Sequence, residues 1–236
     1  PWRGAAFRLL ALALAIGTVS DGRTSRVAYA QGVTDPTVIK ARSAISRGQY
    51  ADAEALLKPL AARSPEGEAA LELGLFYEMM GRRDESRALL RRISDIQVGP
   101  RTSATEYARL GRAARVLGEF QLANDAYRIA GEKAPADPAV HTGWGELFLQ
   151  VHNNAEAVKS FQDALTADDK WIPALLGVAQ ALLGVNPPAA EKAVQQALAL
   201  DPDAVGGHLL LAQMQLDKSD REGAKAAIAK ARAINP

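Results

Sequence analysis

The chain has 236 residues, with 28 basic and 27 acidic side chains, a formal charge of +1 and no cysteine. Both signs of charge are interspersed, which leaves no basic block for nucleic acid or an anionic membrane surface. The lack of thiols excludes disulfides, Cys-ligated metals and thiol catalysis.

Arg3 and Arg8 precede an apolar run from Leu9 to Val19. That run is too short to cross a bilayer as a helix, but it has the size of the apolar core of a secretory signal. Ala28, Tyr29 and Ala30 form an A-x-A cleavage pattern before Gln31, although Asp21, Arg23 and Arg26 make the intervening stretch unusually charged. Residues 1–30 therefore read as an export signal, with an uncleaved anchor or a disordered leader as alternatives. Export places the mature chain in the periplasm or outside the cell, including at the envelope, with no integral membrane span. Its removal leaves 24 basic against 26 acidic residues.

From Thr34 onward the spacing predicts helices in pairs. Asp35 and Pro36 start the first, with proline where its missing N–H costs nothing. Gly48 turns the chain, and Tyr50 to Arg63 forms a second helix with Ala53 at the crossing and Leu56, Leu57 and Leu60 buried. Ser64 and Pro65 end it. Leu73, Gly74 and Tyr77 mark the next pair, which turns at Gly81. Between Ile96 and Ser103 the register gains three residues, and Ser103 with Glu106 makes a capping box that restarts the helix.

The stretch Ala104 to Asp137 is the clearest copy: Tyr107, Leu110 and Gly111 precede Gly118, Phe120, Ala123, Tyr127, Ala130 and Pro135. Asn124, beside the crossing residue Ala123, reads as solvent-facing. A fourth copy carries His141, Trp144, Gly145, Phe148, Ala157, Phe161 and Ala164, and Asp168 and Asp169 read as caps. The fifth is one residue short in its turn, Gly184 to Pro188. The sixth carries Leu211, Ala212, Ala224, Ile228 and Ala231 before Pro236.

Aligned on their turns, the copies start near 34, 67, 104, 138, 172 and 205. The eighth place then holds Ala41, Gly74, Gly111, Gly145, Ala179 and Ala212, and the twentieth holds Ala53, Ser86, Ala123, Ala157, Ala190 and Ala224. Small residues belong where two helix axes come closest, and large ones where space remains. This order of large, small and breaker residues resembles the tetratricopeptide repeat. The resemblance implies an all-α fold, an α-solenoid forming a right-handed superhelix of about six helix-turn-helix units over 34–236. A lone pair cannot bury both faces and must stack on neighbours. The last helix reads as uncapped, which predicts that the array continues beyond Pro236 or self-associates there.

No catalytic constellation is visible. The histidines are His141, His152 and His208; none has metal-ligand spacing, and His141 and His208 fall at a packing place. Gly143-Trp144-Gly145 lies inside a predicted helix with no strand before it, so it is no phosphate cradle. No cofactor or metal is expected.

In tetratricopeptide arrays the first helix of each pair lines a concave groove, and the resemblance implies contacts from its second, fifth, ninth, twelfth and thirteenth places. These include Leu71, Leu75, Glu78, Met79, Arg112, Arg115, Glu146, Gln150, Gln180 and Gln213, with Leu176, Leu183, Leu209 and Leu216 completing the last two copies. Arg109 joins Arg112 and Arg115 in a basic step that suits an acidic ligand or neighbouring glutamates. No Lys and Asn clamp for a terminal carboxylate, as in the chaperone-binding members, stands at these places. The resulting expectation is a non-enzymatic scaffold binding a protein or peptide outside the cytoplasm. The alternative is the accessory front part of a larger secreted enzyme such as a peptidase.

Overall fold

The computed structural model describes residues 35–236, so the leader expected at 1–30 lies outside the described residues. The described part consists of twelve helices in six consecutive pairs, with no strand among them. The pairs are α1 (Pro36–Ser46) with α2 (Tyr50–Arg63), α3 (Glu68–Met79) with α4 (Arg83–Ser94), and α5 (Ala104–Leu117) with α6 (Phe120–Lys133). They continue with α7 (Pro138–Gln150) and α8 (Asn154–Ala167), α9 (Ile172–Leu182) and α10 (Pro187–Leu200), and α11 (Val205–Asp217) and α12 (Arg221–Ile234). None of these helices is long and apolar enough to cross a membrane.

Local chemistry sets the boundaries. Asp35 accepts the Thr37 amide at 2.7 Å and Asp137 that of Ala139 at 2.9 Å, each before a proline at the first helical position. The capping box of α5 is present: Glu106 accepts the Ser103 amide at 2.7 Å, and the Ser103 hydroxyl accepts that of Glu106 at 3.2 Å. The inserted residues before it close on themselves, since Gly99 N donates to Thr102 Oγ1 at 2.9 Å and Thr102 N to the Gly99 carbonyl at 3.0 Å. Within five pairs the turn needs one left-handed residue. Gly48, Gly81 and Gly118 supply it, but His152 and Ser219 are held at φ 60 and 62.

Packing follows a volume rule that runs across repeats. The twenty-fourth place is fully buried in the first five copies, as Leu57, Leu90, Tyr127, Phe161 and Val194. Where it is aromatic, glycines flank it on both sides. A Cβ on Gly145 would come within 2.6 Å of Phe161, and one on Gly177, in the next repeat, within 2.4 Å. Gly111 and Gly143 stand around Tyr127 in the same way, at 3.0 and 2.7 Å. Beside the smaller Val194 the same two places hold Ala179 and Leu210, so large central residues go with absent side chains and small ones with filled space.

One detail departs from the sequence reading. Asn124 is half-buried and not simply solvent-facing; it accepts the Trp144 indole N–H at 2.9 Å, because this face of α6 looks toward the first helix of the next repeat. The outer face of α12 exposes Ile228 by 40% and carries the exposed Arg232 where earlier copies pack Ala61, Ser94, Gly131, Leu165 and Leu198. The face is therefore partly polar.

Candidate functional site

The first helices of successive pairs touch one another as well as their flanking partners, whereas the second helices make no comparable contact with each other. Thus α1, α3, α5, α7, α9 and α11 form the inner row, and their facing side chains form the inner wall.

Across the first four repeats that wall is an ion ladder whose sign alternates from helix to helix. Arg42 on α1 donates to Glu68 and, at 2.7 Å, to Glu72, both on α3. Arg112 on α5 reaches the same two carboxylates from the other side, at 3.0 Å to Glu68 and 2.8 Å to Glu72. Arg109 adds contacts to Glu68 at 3.4 Å and to the Glu66 carbonyl at 3.0 Å. One step on, Arg115 pairs with Glu146 of α7 at 2.8 Å. A carboxylate taken out of water must be compensated by fixed charge and hydrogen bonds, and Glu72, only 1% exposed, has two guanidinium groups.

The two buried carboxylates respond differently to that compensation. Burial pushes Glu72 up, but Arg42 and Arg112 outweigh it and hold the carboxyl at about 2. At Glu146 burial wins, and its carboxyl is raised although Arg115 and Arg112 pull it down. The difference is one of geometry: Glu72 accepts from two cations, and Glu146 is paired with one. The Tyr127 hydroxyl lies buried beside this second pair and is itself raised by burial.

The ladder changes the standing of the residues expected in the groove. Arg109, Arg112 and Arg115 are spent on neighbouring glutamates, the second of the two options open to them. Leu71 and Leu75 belong to the packed core at 0% and 4% exposure, and Arg115 and Glu146 are also buried, so these four are not available to a ligand in this arrangement. Glu78 and Met79 are half-buried and Gln150 is exposed. In the last two repeats the ninth place carries Gln180 and Gln213, both half-buried, and Gln213 donates to Asp217 on its own helix at 2.9 Å. Leu216 at the twelfth place is half exposed. The open part of the wall is thus the end near the turns.

Sequence reasoning missed Glu68 and Glu72. Glu68 stands at the second place, one of those expected in the groove, where its sign opposes the arginines on the inner helices to either side; Glu72 stands at the sixth, outside the groove pattern. The signal was there in Arg42, which faces α3 from the helix before. His141 and His208 each donate Nε2–H to a carbonyl six residues back, Pro135 and Pro202, both at 2.8 Å, and so tie the turns between repeats. Among the described residues no group of His, Asp and Glu could hold a metal ion.

Comparison with known proteins decides the family. Two models described as tetratricopeptide repeat match the chain, one over residues 44–112 and the other over 108–172 and 186–236. The chain belongs to the tetratricopeptide repeat family. No curated protein sequence matches it. Among solved structures, the array is similar to a thermophilic tetratricopeptide protein of Thermus thermophilus, with 21% identity over 70% of this chain and 89% of the other and a TM-score of 0.59. It is also similar to a tetratricopeptide repeat protein of Parabacteroides merdae, at 19% identity over 85% of this chain and 79% of the other, TM-score 0.54. A chain of the APC/C Cut9-Hcn1 hetero-tetramer gives 18% identity and a TM-score of 0.55 over 85% of this chain, which spans 39% of that larger one. These likenesses show the fold of the tetratricopeptide array. The family's repeats serve in general as protein interaction scaffolds.

Proposed function

We propose that this tetratricopeptide array is a non-enzymatic scaffold that holds a segment of another protein along the turn-side half of its inner wall. The observation that carries the reading is the division of that wall. Its deep places are closed by core packing and by the ion ladder, while Gln150 and Leu216 stay open and Glu78, Met79, Gln180 and Gln213 remain partly so. A rigid, self-satisfied base under a rim of mixed polar and apolar side chains suits an extended or helical segment, because little side-chain order is lost on binding. The two arginines nearest the rim are already paired, so the segment need not be acidic.

Photo-crosslinking tests the assignment. A photoreactive residue at Gln150 or Leu216 should capture a protein partner, and one at Lys192, exposed on the outer helix α10, should not. Capture from Lys192 alone would move the surface to the outside of the array.

The site of action proposed is outside the cytoplasm, supported by the basic start, the apolar run Leu9–Val19 and the A-x-A pattern before Gln31. Expression in a bacterial host should yield a periplasmic product whose amino terminus is Gln31. A full-length product retained in the cytosol would end that part of the reading.

A further inference from the structure

The first and last described repeats touch. Asn235, directly after α12, donates through Nδ2 to the carbonyl oxygens of Ile45 at 3.2 Å and Ser46 at 3.3 Å, in the last turn of α1. Its Oδ1 accepts the Tyr50 hydroxyl at 2.9 Å. One side chain thus spans nearly the whole described sequence, uses both faces of its amide, and meets carbonyls at the end of a helix, where acceptors lack partners within the helix.

The first repeat is fitted to receive it. Tyr50 is the first residue of α2, and the corresponding first residues of the other outer helices are Arg83, Phe120, Asn154, Pro187 and Arg221, so a phenol stands there in the first copy alone. Its ring is steadied against Phe76, centroid to centroid 5.9 Å. Gly48, between α1 and α2, lies so close that a Cβ would come within 2.8 Å of Asn235 Oδ1 and 3.2 Å of Pro236. Gly81 and Gly118 occupy the same place with the same left-handed backbone, and a Cβ there meets nothing within 4 Å.

Geometry gives the contact its meaning. Gly48 sits on the edge where the two helices of a pair are joined, whereas Asn235 sits on the opposite edge, where one pair hands over to the next. For these edges to meet, the row must wind once around and climb by roughly one helix length, about 20 Å for 14 residues. The last repeat then rests its lower edge on the upper edge of the first, at the turn-side end of the inner helix α1.

We propose that Asn235 is a latch that holds the six repeats as one closed turn and restricts entry to the inner wall. This rests on the scaffold reading for its purpose, but not for its existence. The chain contains no cysteine, so pairs of spin labels can be placed without background. With Gln49→Cys and Ala233→Cys, both exposed, the full chain should give a narrow short distance, and adding Asn235→Ala should replace it with longer, broader ones. Tyr50→Phe, which keeps the ring against Phe76, should do so in part. A long distance in the parent, or one unchanged by Asn235→Ala, overturns the latch. Because Asn235 lies after α12 and not within it, retained helicity is expected and is checked by circular dichroism. The turn glycines give a second control: Gly48→Ala and Gly118→Ala carry the same backbone strain, so only the first should open the ring, and equal effects also overturn the proposal.

Restriction of entry has its own readout. A thiol at Gln180→Cys should react with a maleimide faster when Asn235→Ala is present, and equal rates remove the gating role. None of these measurements involves a partner. Failure of the crosslinking test at Gln150 and Leu216 is therefore distinguishable from failure of the latch.

Discussion

The inner wall changes character between α7 and α9. In the first four repeats it is built from paired charges: Arg42, Glu68, Glu72, Arg109, Arg112, Arg115 and Glu146. In the last two, the ninth and twelfth places hold Gln180, Gln213, Leu183 and Leu216, and the second and sixth carry no charge. Both halves stack through the same small crossing residues, so the contrast lies in what holds neighbouring inner helices in register. Charge pairs fix a single alignment but depend on every member being present. Neutral side chains tolerate a small slide between helices.

The largest effect should come from breaking the ladder at its centre. Glu72→Gln leaves the buried Arg42 and the half-buried Arg112 with Glu68 as their shared carboxylate, and loss of one partner of a buried ionic group costs about 3–5 kcal/mol, whereas Gln180→Leu in the neutral half should cost under about 1 kcal/mol. Urea unfolding followed by helicity, with hydrogen exchange to locate the loss, compares the two; equal losses would mean that the ladder has no special part. Acid sharpens the same contrast. Glu72 has a folded value below its unfolded one of about 4.3, so its stabilisation is present above that pH and is lost as pH falls toward about 2. Glu146 is raised, so its ionised form costs stability near neutrality, and protonation on acidification relieves that cost. In Glu72→Gln the loss of stability below pH 4.3 should therefore be shallower than in the parent, while Glu146→Gln should leave that loss in place.

A smaller effect is expected from overpacking. Gly177→Ala places a methyl group against Phe161 and should cost about 1–3 kcal/mol, despite the better helix propensity of alanine. Gly206→Ala, whose Cβ would lie 3.3 Å from Leu176, should be milder because the tip of a leucine can move. Smallest is a gain. Ser219→Gly relieves a left-handed serine and should stabilise by up to about 1 kcal/mol, seen as a rise in the urea midpoint; no rise would mean that the serine backbone is not strained.

Much of this was legible from residues alone, because close helix crossings leave a periodic mark. Ala41, Gly74 and Gly111 announce the inner helices, Ala53 and Ala123 the outer ones, and the capping box at Ser103 and Glu106 fixes a boundary to the residue. The state of the groove was harder to read. Whether Arg112 meets a ligand or a glutamate depends on which side chain of the previous repeat faces it, and Glu72 lies off the places that line a groove. Asn124 illustrates the same limit, since only the tilt of the next pair brings the Trp144 indole to it. The meeting of Asn235 with Tyr50 is further out of reach, because it depends on a small rotation per repeat summed over the whole array.

The glycines around Tyr127 and Phe161 have a consequence for how such a chain can be altered. Each aromatic ring sets the side chain permitted in its own unit and in the one after it, so the units are not interchangeable bricks. Grafting the Phe161 segment in front of the unit that begins at Val205 would drive the ring into Leu210, unless a glycine travelled with it. Recombination between copies, in a laboratory or in a genome, is therefore confined to exchanges that move three positions together.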